Sequence, residues 1–381
     1  MRRKRRQGSR GIGLALAGGG QEGAVYEIGA LRALEEALDG IDLTDLDSYV
    51  GVSAGSFVAA LLANEIPVAQ LVRMIVSHEA EEQPFHFEKF FLPAYGEIAK
   101  RIAMLPRLAA ESLLRFARRP GDQTFREAFT RLSRALPVGL FDNEPIREYL
   151  EQAFARKHRT NDFRKLKHPL RVVAADLGSG RAVLFGGEGW DHVPISLAVQ
   201  ASTALPGLYP PVRVDGIDCV DGVLLRTIHA SVALEQGVEL LLCVNPIVPT
   251  DVRTAIGQGL MPKGILAARG LPAVLSQTFR TLIHSRLEVG IARYATRFPD
   301  ADLVLFEPGR DEYAMFFSNI FSFASRREVC ELAYKNTRHE LWERRRTLGP
   351  LFAKHGLTLR LDVLKDDRRT IWEGVGISTE R

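Results

Sequence analysis

Gly51-Val52-Ser53-Ala54-Gly55 decides the fold, because it places a serine between two glycines where the apolar run Ser48-Tyr49-Val50 gives way to a helical pattern. In such a strand-to-helix turn the serine hydroxyl is lifted clear of the sheet. Small neighbours permit the strained backbone and the close approach of a substrate. The spacing is typical of a nucleophile elbow, although the same five residues also fit an ordinary turn in which Ser53 caps the next helix.

A glycine loop lies upstream of the elbow. Ile12 to Ala17 is predicted to be a short buried strand, Gly18-Gly19-Gly20-Gln21-Glu22-Gly23 follows it, and a helix is predicted from about Ala24 to Leu38. Glycines expose main-chain N–H groups, and the start of the next helix adds a positive field. The loop therefore suits a phosphate or a developing oxyanion.

Two nucleotide-binding motifs compete for this loop. A P-loop requires Lys followed by Ser or Thr after its last glycine, and the Ala24-Val25 pair found there excludes it. The dinucleotide fingerprint stays open, since the glycine spacing matches and Asp39 or Asp42 lies near the expected acid position. That interpretation gives no function to the serine elbow at the end of the second strand.

A carboxylate follows a predicted strand farther along the chain. Two short strands, Pro211 to Val214 and Ile217 to Val220, are predicted on either side of Asp215-Gly216, and Asp221-Gly222 comes directly after them. Asp221 at a strand end can accept a serine proton if burial raises its pKa toward neutral pH. Taken alone, Asp221-Gly222 is also a common turn sequence.

These motifs, in this order, resemble the patatin-like phospholipases, lipid acyl hydrolases with a Ser-Asp dyad and no catalytic histidine. The resemblance covers about Gly11 to Asn245 and includes the segment from Ala201 to Val212. It implies an α/β fold of three α/β/α layers around a mostly parallel sheet, and it implies neither a metal nor a cofactor. It assigns Ser53 as nucleophile and Asp221 as base, with main-chain N–H groups of Gly19, Gly20 and Ala54 as the oxyanion hole, Gly18 and Gly23 in the glycine loop, and Gly51 and Gly55 flanking the elbow.

Two residues depart from the family pattern. Glu22 stands in the glycine loop where the family usually carries Arg or Lys, and Val223 follows the Asp-Gly pair where Gly or Ala is common. Oxyanion stabilisation by main-chain N–H groups is compatible with either change. Substrate preference is affected more than reaction type, because a carboxylate near the mouth disfavours anionic headgroups.

An α/β-hydrolase with a Ser-Asp-His triad is the neighbouring interpretation, and it requires an acid and then a histidine after the nucleophile. Histidines are available at positions 192, 229, 284, 339 and 355, but none has a setting that marks it as catalytic. Only one helix fits between the glycine loop and Ser53. The triad fold normally separates these parts by more chain, so the dyad is favoured.

Composition fits a soluble enzyme, with 381 residues and 46% hydrophobic content. Three widely spaced cysteines argue for a reducing compartment and against disulfides or a zinc site.

The formal charge of +4 is concentrated in residues 1–10, which contain six basic side chains. We expect a cytoplasmic protein with a disordered basic tail, which either contacts anionic lipid at the inner membrane face, or nucleic acid, or merely solubilises the chain. Apart from this tail, no nucleic-acid binding is expected.

A second basic stretch, residues 84–119, interleaves aromatic side chains directly after the elbow helix and its successor. Seven Lys or Arg stand against three Glu, and the apolar residues include Phe90, Phe91 and Phe116. One hypothesis is an amphipathic cap that opens at an anionic lipid surface. The alternative is a helical subdomain whose apolar residues pack on the core.

The predicted organisation is a basic tail over 1–10, a catalytic domain over 11–310 with a helical insertion at about 84–135, and a helical extension over 311–381. The charged helices over 326–355 are expected to cover a sheet edge or to form a dimer face. The predicted function is hydrolysis of fatty-acyl esters of lipids through an acyl-enzyme. A catalytically weak lipid-binding protein and a transacylase of the same fold are the alternatives.

Overall fold

The computed structural model describes residues 11–77, 85–118, 135–259, 261–310 and 323–375. Three predicted features fall wholly or partly outside the described residues. These are the basic tail over 1–10, residues 119–134 of the insertion, and residues 313–322 of an aromatic-rich stretch.

An eight-stranded mixed sheet forms the centre of the molecule. Its strands are β1 (Ile12–Leu16), β3 (Ser48–Val52), β4 (Leu170–Asp176), β5 (Ala182–Phe185), β6 (Val212–Val214), β7 (Ile217–Asp221), β8 (Leu240–Val244) and β9 (Asp302–Phe306). The order is β6-β7-β4-β3-β1-β8-β9, with β5 paired to β4. The pairs that link β4, β3, β1, β8 and β9 are parallel, whereas β5, β6 and β7 pair antiparallel. Two further strands, β2 (Leu38–Asp39) and β10 (Thr358–Leu359), pair with each other outside this sheet.

Helices connect the strands and cover the sheet. The helices are α1 (Gly20–Ala37), α2 (Ala54–Ala63), α3 (Val68–Leu71), α4 (Tyr95–Arg118), α5 (Glu144–Phe154), α6 (Ile195–Ser202), α7 (Ala230–Leu234), α8 (Val252–Gly257), α9 (Ile265–Ala268), α10 (Leu271–Arg297), α11 (Phe323–Glu343), α12 (Arg345–Lys354) and α13 (Leu361–Lys365). Shorter 3-10 or π-helical turns occur at Val72–Ser77, Phe87–Phe91, Phe163–Lys165, Gly222–Leu224 and Glu373–Val375.

The alternation of side chains along β1 explains the three layers. Leu14 and Leu16 join one buried cluster, whereas Ala15 and Ala17 join another. Successive residues of a strand point to opposite faces, so these two clusters are the cores above and below the sheet. Helices α1, α2 and α11 contribute to the first core, and α7 and α10 contribute to the second. The predicted α/β/α class with a mostly parallel sheet is confirmed.

The predicted strands over Ile12 to Ala17, Pro211 to Val214 and Ile217 to Val220 form within one residue of their predicted bounds. One difference is instructive: α1 begins at Gly20, four residues before the predicted start at Ala24. The last glycines of the loop already belong to the first helical turn, because the N–H of Gly23 donates to the carbonyl oxygen of Gly19 at 3.0 Å. The glycine loop is therefore shorter than predicted, and it ends directly at a helix N-terminus.

The C-terminal helices pack on the rest of the fold. A Cβ atom on Gly29 of α1 would lie 2.2 Å from the carbonyl oxygen of Cys330, so α11 contacts α1 backbone to backbone. The Tyr334 hydroxyl donates to Glu36 at 2.6 Å in the same interface. At the far end, Lys354 pairs with Asp302 of the strand β9 at 2.8 Å. These helices thus cover α1 and reach the β9 edge of the sheet.

The aromatic stretch after α3 divides into a buried and an exposed part. Phe85 and Phe90 are buried with ring centroids 4.7 Å apart, and Phe85 also contacts Phe57. Phe90 packs in the core against Phe85, as the alternative of a packed helical subdomain expects for this residue, and the cap hypothesis stays a prediction. On α4, by contrast, Ile102 and Leu105 are exposed. Within the described residues, no helix is long and apolar enough to cross a membrane.

Candidate active site

Ser53 occupies a strained turn between β3 and α2. Its φ and ψ angles are 52° and −127°, a positive-φ conformation that non-glycine residues adopt infrequently. The turn brings α2 against β1, because the N–H of Gly55 donates to the carbonyl oxygen of Ala17 at 2.9 Å. A Cβ atom on Gly55 would lie 2.3 Å from that oxygen, so only glycine permits this approach. Gly51 lies within β3 and Ala54 begins α2, as an elbow requires.

Ser202 at the end of α6 holds the elbow from the other side. Its hydroxyl accepts a hydrogen bond from the Ser53 N–H at 2.8 Å and donates one to the carbonyl oxygen of Val173 at 2.6 Å. All three groups are buried, so these bonds are made away from water. The sequence analysis included Ser202 in the segment shared with the family but assigned it no function. The small residues around it were the one feature of the sequence that could have indicated close packing at this position.

Asp221 ends β7 and lies directly beside the elbow. The strand pairing sets Asp221 opposite Ala174, and its N–H donates to the carbonyl oxygen of Ala204 at 3.0 Å. One carboxylate oxygen accepts the N–H of Val223 at 2.9 Å, and the Ser53 hydroxyl lies close enough to the carboxylate to lower its pKa. The structure therefore brings Ser53 and Asp221 close together although they are far apart in the sequence.

The Asp221 carboxyl is 1% exposed, and this burial raises its pKa to about 7. The nearby Ser53 hydroxyl and the N–H of Val223 act in the opposite direction, since they stabilise the ionised form. A carboxylate with a pKa near neutral pH is able to take a proton from a hydroxyl and return it within one catalytic cycle.

Gly18 connects the predicted motifs in space. A Cβ atom on Gly18 would lie 3.1 Å from the Cβ of Ser53 and 3.1 Å from a methyl carbon of Val223. The glycine loop, the elbow and the Asp-Gly turn thus meet at one point. Gly19 caps α1 and Gly20 begins it, so the first N–H groups of α1 directly follow the glycine that approaches Ser53, and they have no intrahelical partners.

The dinucleotide interpretation does not fit this arrangement. Asp39 lies in β2, which pairs with β10 outside the main sheet. The second parallel strand of the main sheet is β3, and it ends at Ser53 instead of an acid. The geometry of a dinucleotide site, in which an acid ends the strand next to the glycine loop, is therefore not present at this position.

The family model for patatin-like phospholipase matches residues 14–234, which is more than half of the chain and includes every one of these motifs. The chain belongs to the patatin-like phospholipase family.

Solved structures provide more distant matches to this patatin-like chain. VipD from Legionella pneumophila is 15% identical with a TM-score of 0.39, and the match covers 88% of this chain and 67% of VipD. The type III effector ExoU of Pseudomonas aeruginosa is 13% identical with a TM-score of 0.38, covering 88% of this chain and 53% of ExoU. Human GIVD cytosolic phospholipase A2 is 12% identical with a TM-score of 0.33, covering 91% and 59%. The chain spans between about half and two thirds of the length of these proteins.

Glu22 is the residue of the glycine loop at which the sequence departs from the expected family pattern. In the structure, this carboxylate has a basic neighbour. The Glu22 carboxylate lies 3.7 Å from the guanidinium of Arg280 on α10. Burial lowers the pKa of Arg280, and Glu22 opposes that shift. Arg280 thus brings a positive charge to the loop from a remote part of the sequence. Sequence reasoning missed it, because nothing near Arg280 indicates its proximity to the loop.

The predicted histidine alternatives have other contacts. His229 is buried with Nε2 3.4 Å from the carbonyl oxygen of Gly222, and burial lowers its pKa to about 4. His192 pairs with Asp215, His284 lies near Arg310, and His355 pairs with Asp302. The contacts recorded for these four rings go to groups other than Ser53 and Asp221, so none of them is in the position between nucleophile and acid that a triad requires.

Proposed function

We propose that this protein is a serine lipid acyl hydrolase that cleaves fatty-acyl esters through a Ser53-Asp221 dyad. The observation that carries the proposal is the buried Asp221 carboxyl beside the Ser53 elbow, and burial raises the pKa of this carboxyl to about 7. Family membership supports a lipid ester as substrate. The dyad needs no metal for the steps described below.

In the first step, Ser53 Oγ attacks the carbonyl carbon of the ester while its proton moves to the Asp221 carboxylate. The carbonyl oxygen becomes an oxyanion, for which we assign the main-chain N–H groups of Gly19, Gly20 and Ala54 as donors. Two of these groups lie at the starts of α1 and α2, where the helix fields favour negative charge. The intermediate collapses when the alcohol leaves and takes the proton from Asp221.

In the second step, water attacks the acyl group on Ser53 while Asp221 accepts a proton from the water. The new tetrahedral intermediate collapses to a free fatty acid, and Asp221 returns the proton to Ser53 Oγ. The products are one fatty acid and one alcohol or lysolipid for each ester and water consumed. Transacylation differs only in that an alcohol replaces water in this step.

An exposed apolar patch near the base supports a lipid substrate and peripheral contact with a membrane. Leu92, Leu140 and Leu208 are all exposed, and main-chain hydrogen bonds hold their segments together. Leu208 follows Ala204, whose carbonyl oxygen accepts the N–H of Asp221. Acyl chains leaving a bilayer meet apolar side chains at such a surface. The predicted lipid-opening cap stays a prediction for α4.

The test compares wild type with Ser53→Ala and Asp221→Asn, each checked by circular dichroism. Release of p-nitrophenol from medium and long acyl esters and of labelled fatty acid from phospholipids is measured, and a long-chain fluorophosphonate is used to label the nucleophile. We expect labelling on Ser53 and loss of turnover in both variants.

Three results would contradict the proposal or indicate a different function. Turnover retained in Ser53→Ala would refute the proposal. Acyl transfer to added lysolipid in preference to water would identify a transacylase. Lipid binding by wild type without any turnover would indicate a binding protein.

A further inference from the structure

The turn after β8 packs against the glycine loop. Strand β8 pairs with β1 in parallel, so the segments that follow these two strands leave the sheet at the same edge. A Cβ atom on Gly19 would lie 2.7 Å from Cγ of Pro246, and one on Gly23 would lie 3.0 Å from the same atom. The Pro246 ring thus contacts both the glycine that caps α1 and the first turn of that helix.

Asn245 fixes the turn that carries Pro246. Its side chain is fully buried; Oδ1 accepts the N–H of Ile247 at 3.1 Å, and Nδ2 donates to the carbonyl oxygen of Ile247 at 3.3 Å. The amide therefore bonds to the residue on the far side of Pro246 and closes a tight turn around the ring. Nδ2 also donates to the Glu307 carboxylate at 2.5 Å, directly after β9, and a bond to a charged acceptor is stronger than a neutral one.

Helix α10 fixes the other end of the same segment. The Gln277 side chain donates to the carbonyl oxygen of Thr250 at 2.8 Å and accepts the Thr250 N–H at 3.3 Å. The N–H of Asp251 donates to the carbonyl oxygen of Arg310 at 2.8 Å. The segment over residues 245–251 is thus anchored at both ends while its proline contacts the glycine loop.

The glycine loop needs such support from outside. Gly19 and Gly20 have φ angles of 147° and 63°, which favour glycine, and glycines bring no side chains with which to pack. Donors of an oxyanion hole stabilise charge only when they are aligned before the reaction begins. A loop of glycines in a fixed geometry therefore depends on the atoms that pack against it.

We propose that Asn245 is a positioning residue for the glycine loop. Its amide seats Pro246 against Gly19 and Gly23 and so aligns the N–H groups of Gly19 and Gly20. The inference rests on the proposed function, which assigns these N–H groups to the oxyanion. Asn245 lies beyond residues 14–234, which the family model matches, and it acts through the loop without touching the reacting atoms.

The experiment compares Asn245→Ala and Pro246→Ala with wild type. Asn64→Ala is the matched control, because Asn64 is also buried and also bonds to main-chain groups, the N–H of Thr160 at 2.8 Å and the carbonyl oxygen of Ala60 at 3.1 Å. It caps the end of α2 opposite to Ser53. Turnover of a soluble p-nitrophenyl ester gives kcat and KM, urea denaturation gives stability, and hydrogen exchange is followed in a peptide over residues 18–26.

Asn245→Ala is expected to lower kcat about 10–100-fold with little change in KM, and to speed exchange over residues 18–26. Pro246→Ala removes no hydrogen bond and should show a smaller change in the same direction, so it provides the test if Asn245→Ala does not fold. Asn64→Ala should lose stability but keep kcat and exchange over residues 18–26 near the wild-type values.

A pair of exchanged side chains tests the bond between Asn245 and Glu307. At mildly alkaline pH, Asn245→Asp sets two carboxylates against each other and should lower kcat. Adding Glu307→Gln supplies an amide that can donate to the new carboxylate and should recover most of the lost kcat. A double variant as slow as Asn245→Asp would contradict the positioning role of this bond.

Wild-type kcat and exchange in folded Asn245→Ala and Pro246→Ala would overturn the inference and leave the proposed function intact. A kcat loss no larger than that of Asn64→Ala would also overturn it, because general destabilisation would then account for the effect. Faster exchange over residues 18–26 in Asn245→Ala, in a protein whose wild type turns over no ester, would refute the proposed function and keep the support of the glycine loop by Asn245.

Discussion

The main-chain N–H of Ser53 donates to the hydroxyl of Ser202 at 2.8 Å, and this bond ties the strained elbow to the end of α6. The Ser202 hydroxyl in turn donates to the carbonyl oxygen of Val173 on β4, the strand that pairs with β7 and so positions Asp221. Ser202 therefore links the segments that carry the proposed nucleophile and base without touching the reacting atoms.

Replacing Ser202 with alanine should leave the buried N–H of Ser53 and carbonyl oxygen of Val173 without this partner. We expect a loss of about 1–3 kcal/mol in the free energy of unfolding. We also expect a lower kcat with little change in KM for a soluble ester, because the elbow is less well held. Urea denaturation and steady-state kinetics measure both effects.

Ser202→Thr serves as the rescue variant, since it restores a hydroxyl at the same position. A Ser202→Ala protein that is destabilised but fully active would contradict the positioning function. A threonine variant that recovers kcat would support it.

The Asp221 pKa of about 7 predicts the pH dependence of turnover. The proposed base must be ionised, so kcat/KM for a soluble ester should fall about tenfold per pH unit below pH 7 and level off above it. Asp221→Asn should lower kcat/KM by about 10²–10⁴-fold and remove this dependence. A wild-type profile that stays flat through neutral pH would contradict the assignment of Asp221 as base.

A substitution of His229 distinguishes a Ser-Asp dyad from a triad that uses a histidine. Its ring is buried near the carbonyl oxygen of Gly222, and burial lowers its pKa to about 4, so the ring is neutral when the enzyme works. We expect His229→Asn to retain activity within about tenfold of wild type, since asparagine also tolerates the left-handed backbone at this position. Kinetics of this variant beside Ser53→Ala check the prediction; a folded His229→Asn protein as inactive as Ser53→Ala would favour a histidine mechanism.

Glu27 predicts a stability effect that is independent of catalysis. It is fully buried on α1, and burial raises its pKa well above 4.5, while the nearby main chain of Ala17 acts in the opposite direction. The folded state thus holds the Glu27 proton more tightly than the unfolded state does. This contribution to the free energy of unfolding is present at low pH and is lost as pH rises from 4.5 toward the folded-state pKa.

Glu27→Gln should therefore have a higher Tm than wild type at alkaline pH, and the difference should shrink toward acidic pH. The exposed Glu148→Gln is the matched control and should change Tm little at any pH. Differential scanning calorimetry across pH measures both variants. A Glu27→Gln protein that is less stable at every pH would show that the ionised carboxylate is needed in the fold.

The sequence by itself determined the strands, the elbow and the order of the motifs. These features follow from local rules: short continuous apolar runs specify β1 and its neighbours, and the glycines around Ser53 permit a turn that other residues strain. The parallel sheet then follows from strands that alternate with helices. Ser53, Asp221 and the glycine loop were accessible to sequence reasoning for this reason, together with their resemblance to one family.

Only the tertiary structure decided which groups surround these residues. Ser202 supports Ser53, Arg280 accompanies Glu22, and the core encloses Phe90 but leaves the outer face of α10 exposed. The raised pKa of Asp221 is also decided by the tertiary structure, since segments remote in the sequence bury the carboxyl. Burial, desolvation and hydrogen bonds between distant segments depend on how the whole chain packs, and no local pattern near these residues encodes them.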